Sequence, residues 1–485
     1  MPGVVGVVPV ATGVAVVAAK YWQAKKAAES VEVEWNLPAL AQVSSRQIEA
    51  DYRDGLAEEG ESAESEGDVD AAFAGTRTVE ADYWAPYLAH APMEPMNAVV
   101  RIGDGEAEVW TGTQGLGLAQ GLVARVTGLA TEQVTAHNTY LGGGFGRRAT
   151  MSHVVEAAEA ALATGKPVQV LWSREDDIRS GVFRPASLMR IEAGIDPDGI
   201  VAAWRAKRVG ANIVPYALRG LLPGLFPGLA DGVIDWAADS AGGLFANWVV
   251  EGPSVEGLAG DYDLPNREVR HVTRDHGLPT TVWRSVGHSF TAFAKESMID
   301  ELAAAAGADP VELRLRHTSN NPRLHNVIRI AGERMGQWRL PRGHALGIAA
   351  HGSFESFVAE VAEVSVSDGA IRVHNVLCVV DCGVAVNPDV VRAQMEGSVM
   401  YGLTAALHGN LELADGAIRE SNFHDYPILR MNEAPAVEVV IVASEEHPSG
   451  VGEPGVPPIA PAVANAVYAA TGQRLRSLPL RLQTG

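Results

Sequence analysis

The chain reads as an α+β protein, two mixed α/β domains preceded by the end of a smaller α/β unit. Three observations predict this. Its 485 residues, 47% apolar, exceed what one hydrophobic core normally holds. Apolar runs with strand periodicity alternate with helical segments from Thr76 to about Arg316, and again from Ala359 to the end. An acidic stretch separates both from the short unit at the start.

The first unit, residues 1–36, opens with strands around Pro9 and Gly13 and continues over Val14–Val33 as strand, helix (Lys20–Ala28) and strand. Met1–Ala19 is apolar but lacks a basic leading region and a cleavage pattern, so it reads as strands and not as an export signal. Nothing before Met1 completes a sheet, and the unit is expected to be the end of a larger one. Residues 37–75 carry Glu58, Glu59, Glu61, Glu64, Glu66, Asp68 and Asp70 and are expected to be a solvated linker.

The first large domain, 76–325, is expected to contain strands at Ala98–Ile102, Ala107–Trp110, Val134–Asn138, Pro167–Trp172 and Ile200–Val209. Helices are expected at Leu116–Thr127 and Val154–Ala163, and Trp172–Asp177 reads as a salt-bridged turn. Asp309-Pro310-Val311-Glu312 marks a helix start, with an Asp cap, a first-turn Pro and a Glu where the helix dipole favours it. The second domain, 326–485, carries a strand over Val373–Val380, a turn at Asp381-Cys382-Gly383 and a helix opened by Asn387-Pro388. A last helix over Ile459–Ala470 ends at Gly472.

Charge and residue usage narrow the chemistry. With 38 basic and 59 acidic residues the net charge is -21, which repels phosphate backbones and argues for small or neutral substrates over nucleic acid. The two cysteines, Cys378 and Cys382, lie four apart in a strand, where the rise separates their Cα atoms by roughly 13 Å, too far to bridge. Two thiols are also too few for an iron–sulfur cluster. The 14 histidines form no His-Glu-x-x-His pattern, and His271 and His276 read as hydrogen-bonding residues. His424 and Asp425 read as loop caps, and Ser289 lacks the setting of a hydrolase nucleophile.

Two segments concentrate chemistry. Gly450-Val451-Gly452-Glu453-Pro454-Gly455-Val456-Pro457 holds one carboxylate in a backbone constrained by glycine and proline, just before a helix, which makes Glu453 the candidate base. Leu141-Gly142-Gly143-Gly144-Phe145-Gly146-Arg147-Arg148, after a strand, offers bare backbone N–H groups to an anionic or planar cofactor, with Arg147 and Arg148 available for negative charge. Its spacing is neither that of a phosphate-binding Walker loop nor that of a dinucleotide-binding glycine motif, so no NAD site is expected.

Gln114, the Leu141–Arg148 loop, Thr281-Val282-Trp283-Arg284, Gln394-Met395-Glu396-Gly397 and Gly452-Glu453-Pro454 occur in the order of the molybdenum-binding large subunit of the xanthine oxidase family. The chain resembles the isoquinoline 1-oxidoreductase beta-subunit type in particular, through Ala91–Asn97, Ser421–Tyr426 and Gly455–Ala462. The resemblance implies two molybdenum-cofactor-binding domains after the end of a hammerhead-like unit, as in that family. It implies a molybdopterin cytosine dinucleotide cofactor, with no protein side chain ligating the metal. Gln114 would hydrogen-bond an oxo ligand, while Gly143, Gly144, Phe145, Gly146 and Arg147 form the loop against the metal. Gln394 would contact the pterin.

Arg284 would steady negative charge on the substrate, and Glu453 would act as base in a water-derived hydroxylation of an N-heteroaromatic ring or oxidation of an aldehyde. Such a base needs a pKa nearer neutrality than usual, and burial is expected to outweigh the helix N-terminus. Ala149 stands where the wider family carries a glutamate that holds purine-like substrates. The Met-Gly-Gln-Gly loop and a second pterin loop are not found in these residues and are expected upstream, on a missing segment or split partner. Electrons would pass to a small 2Fe-2S subunit and then to an acceptor such as a cytochrome c. The resemblance implies a periplasmic location, with a cytoplasmic one as alternative. The alternative to an enzyme subunit is a truncated fragment acting as an interaction module without cofactor.

Overall fold

The computed structural model describes residues 1–34, 36 and 39–482. The expected boundary between residues 36 and 37 falls beside residues outside that set. Val4–Val10 and Gly13–Ala18 form an antiparallel hairpin followed by the helix Tyr21–Ala28. The hairpin tip is tied to the helix Ser152–Thr164, where Glu156 accepts the Thr12 hydroxyl at 2.5 Å and Glu159 accepts the Ala11 N–H at 2.9 Å. The third strand expected up to Val33 is not formed, and residues 31–34 are irregular. A β-prone segment becomes a strand only where a neighbour takes up its N–H and C=O groups.

The acidic linker is the clearest correction. Residues 45–72 are folded: the helix Ser45–Gly55 starts in a Ser44/Gln47 capping box and buries Ile48 and Tyr52. Glu61–Glu66 is an edge strand pairing antiparallel with Arg267–Thr273. Its carboxylates meet arginines: Glu66 lies 2.6 Å and Glu64 3.3 Å from Arg267, Glu59 lies 3.1 Å from Arg270, and Asp70 pairs with Arg205. Local composition described a solvated run because the complementary cations arrive 135 to 211 residues later.

The edge strand belongs to a five-stranded sheet ordered Glu61–Glu66, Arg267–Thr273, Val201–Gly210, Ser187–Ile195, Arg77–Ala85. A four-stranded sheet, ordered Val134–Asn138, Glu106–Thr111, Asn97–Gly103, Val168–Leu171, carries the helices Leu116–Thr127 and Ser152–Thr164. These match the expected elements to within a residue or two. The expected turn at Trp172–Asp177 is instead the start of a short helix, Arg174–Arg179, because Ser173 and Asp176 form a reciprocal cap.

The C-terminal half holds a third sheet, ordered His344–Ser353, Ser356–Ser367, Ala370–Asp381, Ala436–Ile441. The helices Pro388–Leu407, capped by Asn387, and Ile459–Thr471, stopped by left-handed Gly472, contribute Val399, Leu403, Val463 and Val467 to its main core. The helix His288–Ala306 is buried along Ser289–Ala303, and its Phe290, Phe293 and Met298 join Trp204 of the five-stranded sheet and Val364 of the third sheet. One apolar core therefore runs through both expected domains and holds the loops between them in register. Both cysteines are free and buried. No described helix is long and apolar enough to cross a membrane.

Candidate active site

The segment Trp283–Gly287 is the hub of the site. It precedes the buried helix His288–Ala306, and Ser285 and Val286 adopt left-handed backbone (φ +77° and +47°), a strained geometry for side-chain-bearing residues. The turn aims successive groups at two other loops. The Ser285 N–H donates to Glu453 Oε1 at 2.9 Å, and the Ser285 hydroxyl donates to the Glu453 carbonyl at 2.8 Å. Glu453 is half-buried, before the helix that begins at Ile459.

Arg284 is 6% exposed, and two of its three guanidinium nitrogens are engaged. Its Nε donates to the Gly452 carbonyl at 2.8 Å, and its outer nitrogen donates to Ser398 Oγ at 2.7 Å and Gln394 Oε1 at 3.2 Å. Its guanidinium also lies over the Phe145 and Tyr401 rings, 5.7 and 5.8 Å from their centroids. Burial pulls its pKa down, and the Tyr401 and Glu453 groups oppose that shift. Gln394, Ser398 and Tyr401 lie at helical spacing on one face of Pro388–Leu407, which brings all three to the site.

The glycine loop closes the opposite side. Phe145, with φ +57°, stacks on Tyr401 at 4.3 Å, and Tyr401 stacks on Trp283 at 4.7 Å. Gly146 has φ +95°, and a Cβ there would overlap the Val282 carbonyl. A Cβ on Gly144 would come within 2.7 Å of Gln114 Oε1. Close approach of main chain is thus the reason for both glycines. Gln114 Oε1 accepts the Gly146 N–H at 3.1 Å, and Glu94 accepts the Gly142 N–H at 2.8 Å. The N–H groups of Gly143, Gly144 and Phe145, and the Gln114 side-chain nitrogen Nε2, have no protein acceptor among the described residues.

Two arginines depart from expectation. Arg147 is 2% exposed, pairs with Asp177 at 3.0 Å and lies over the Trp172 ring, so its side chain is not available to a cofactor. Arg148 is fully buried and donates to the carbonyls of Gly112, Gly143 and Glu94 and to the Glu94 carboxylate. Burial lowers the pKa of both, and the neighbouring carboxylates raise it. A charge placed behind a glycine loop braces the loop when buried acceptors face it, and those acceptors come from distant segments.

The sequence reading missed Ser285, Ser398, Tyr401 and His90. Gln394, Ser398 and Tyr401 share a helical stripe, a signal that could have found two of them. His90 offered none: its ring nitrogens lie 3.1 Å from the Val182 and 2.9 Å from the Val282 carbonyl oxygens, pinning the irregular segment behind Gly146. Burial pushes its pKa down to about 4. Among the minor candidates, His271 is held between the Arg208 carbonyl and Asn212, and Asp425 caps the backbone of Ser421 and Asn422.

Residues 52–215 and 288–435 match two molybdopterin cofactor-binding domain families. Over 99% of its length the chain is 34% identical to the beta chain of isoquinoline 1-oxidoreductase from Brevundimonas diminuta, of which it covers 61%. The chain belongs to the xanthine oxidase family of molybdenum-binding subunits. It is also 30% identical to one subunit of the nicotinate dehydrogenase of Pseudomonas putida, over 99% of this chain and 41% of that one. The chain thus spans about three fifths or less of these curated relatives. The quinoline 2-oxidoreductase of Pseudomonas putida 86 shares the fold, with a TM-score of 0.75 at 16% identity over 97% of this chain and 85% of that one.

The site suits a molybdopterin group on its own geometry. Its free donors are backbone N–H groups and a carboxamide, and no described cluster of three His, Cys, Asp or Glu side chains is arranged to ligate a metal. Such a donor set fits a metal carried by its own organic ligand, bound through hydrogen bonds to that ligand.

Proposed function

We propose that this chain carries the catalytic residues of a molybdenum hydroxylase that adds water-derived oxygen to an electron-poor carbon of an N-heteroaromatic ring, or oxidises an aldehyde. The single observation that carries the reading is the meeting of Glu453, Arg284 and the open N–H groups of Gly143–Phe145 around the Trp283–Gly287 turn. The molybdenum–pterin group, in its cytosine dinucleotide form, supplies the oxygen transfer and two-electron chemistry when bound. Gln114 and the Gly143–Gly146 loop would hold that group through hydrogen bonds, and Gln394 would meet its pterin.

The chain's own groups then have distinct tasks. Glu453, positioned by the Ser285 N–H, accepts the proton released as oxygen is transferred. Arg284, buried and braced by Ser398, Gln394 and the Gly452 carbonyl, presents fixed positive charge where the substrate becomes negative. The Phe145–Tyr401–Trp283 stack holds the loop rigid and excludes water from one side. Ala149 leaves the position after the loop without a carboxylate, which favours rings other than purines. Electrons leave to a small 2Fe-2S subunit and onward to a cytochrome c, in the periplasm.

The decisive experiment measures molybdenum and pterin in the chain alone, and after co-expression with an upstream segment and a 2Fe-2S subunit. Near-stoichiometric molybdenum in the second preparation, with turnover lost in Glu453→Gln while the cofactor is retained, is the expected result. Absence of molybdenum from both preparations would favour an interaction module without cofactor.

A further inference from the structure

A second carboxylate stands beside Glu453, and none of the roles above uses it. The turn that offers the Ser285 N–H to Glu453 offers the N–H of Gly287, two residues on, to Glu256 Oε1 at 3.1 Å. Ser285 and Val286 are both left-handed, and a Cβ on Gly287 would overlap the Pro253 carbonyl and come within 3.2 Å of Glu256 Cγ. The two acids are thus neighbours fixed by one strained segment.

Glu256 has no Lys or Arg partner among the described residues. The charged or titratable groups facing it are Glu453, Glu251 and His288, the last with Nε2 at 3.7 Å, beyond hydrogen-bonding distance. His288 commits its other nitrogen to His351 Nε2 at 2.8 Å. About a third of the Glu256 side chain, 32%, still reaches solvent. A carboxylate without a cationic partner, close to a like charge and partly open to water, is a poor structural strut. Burial raises its pKa to about 7, with the Glu453 and Glu251 charges adding and the Gly287 N–H opposing.

Resting on the base assignment above, we propose that Glu256 is a positioning residue that resets the base: the proton collected on Glu453 passes to the Glu256 carboxylate and from there to solvent. The balance is one proton moved twice. Glu453 returns to the carboxylate, Glu256 becomes the acid and then loses the same proton to water, and no electrons move. A carboxylate titrating near neutrality accepts a proton and gives it up again at comparable rates, as such a relay requires.

The test uses the assembled complex with its upstream segment and iron–sulfur partner. Glu256→Gln is expected to lower kcat roughly tenfold or more, with KM changed less than about twofold and molybdenum content unchanged. The pH dependence of kcat near neutrality, where Glu256 titrates, is expected to be lost in the variant. A readout independent of turnover is the infrared carboxyl band of the protein during a pH titration. A band titrating near neutrality is expected in the native chain, absent in Glu256→Gln and shifted to lower pH in Glu453→Gln. No such band in the native chain overturns the proposal even if the Glu256→Gln variant misfolds, as does a Glu256→Gln enzyme with native kcat and pH profile. Activity surviving in Glu453→Gln would instead sink the base assignment, whereas an inactive Glu453→Gln beside a native-like Glu256→Gln sinks only the relay.

Discussion

Ser285 grips Glu453 at both ends, its N–H on the carboxylate at 2.9 Å and its hydroxyl on the carbonyl at 2.8 Å. The carboxylate is therefore oriented by backbone from a different loop. Ser285→Ala keeps the N–H and loses the hydroxyl bond, a change of about 1 kcal/mol. The expected outcome is a modest fall in melting temperature with the cofactor retained and kcat reduced less than in Glu453→Gln. Calorimetry and steady-state kinetics check it, and a Ser285→Ala enzyme as inactive as Glu453→Gln would refute the backbone's share.

Arg284 serves Gly452, Gln394 and Ser398 with one planar fork, a geometry a lysine ammonium on a flexible stem does not reproduce. Arg284→Lys should therefore cost more than tenfold in kcat/KM, roughly 1.4 kcal/mol or more, although charge is conserved. Ser398→Ala, which removes one acceptor, should cost less. Equal activity of Arg284→Lys and the native enzyme would show that charge alone matters.

Gly146 combines φ +95° with a Val282 carbonyl in the space of a side chain. Gly146→Ala is expected to destabilise by roughly 1–3 kcal/mol and to lower molybdenum retention. Gly243, inside the helix Asp231–Asn247, has nothing within 4 Å of a Cβ, so Gly243→Ala should stabilise by roughly 0.5–1 kcal/mol. Urea unfolding of both variants compares the two glycines directly.

Glu360 sits fully buried on the third sheet, directly across from Cys378, with neither oxygen accepting a conventional hydrogen bond. Burial pushes its pKa well above the ordinary range, with the Cys378 thiol opposing. The sign follows from linkage. The folded chain keeps the proton at pH values where the unfolded chain has lost it, so this contribution is complete below the ordinary carboxylate range and is lost as pH rises through the folded value. Native stability should decline from mildly acidic to alkaline pH more steeply than that of Glu360→Gln. Melting temperatures across that range decide it, and parallel curves would remove Glu360 from the account.

Legibility in the sequence followed the range of the interactions. The helices at Asn387-Pro388 and Ile459, and the strands at Val134 and Ala98, were readable because caps and apolar periodicity act within a few residues. Strand Glu61–Glu66 was not, because its partner strand and its arginines lie far along the chain. Arg147 was misjudged for the same reason, since Asp177 and Trp172 occupy it.

By itself, the sequence determined the order of elements and the glycine loop, and it offered Gln114, Arg284, Gln394 and Glu453 as candidate polar groups of the site, all through short spacings and family resemblance. Tertiary structure alone decided which donor meets which acceptor. It placed Ser285 under Glu453, slid Tyr401 between Phe145 and Trp283, and set Glu256 on the same turn through the Gly287 N–H. Those pairings depend on a core shared between two sheets, which brings together residues more than a hundred positions apart, and no local pattern encodes that distance.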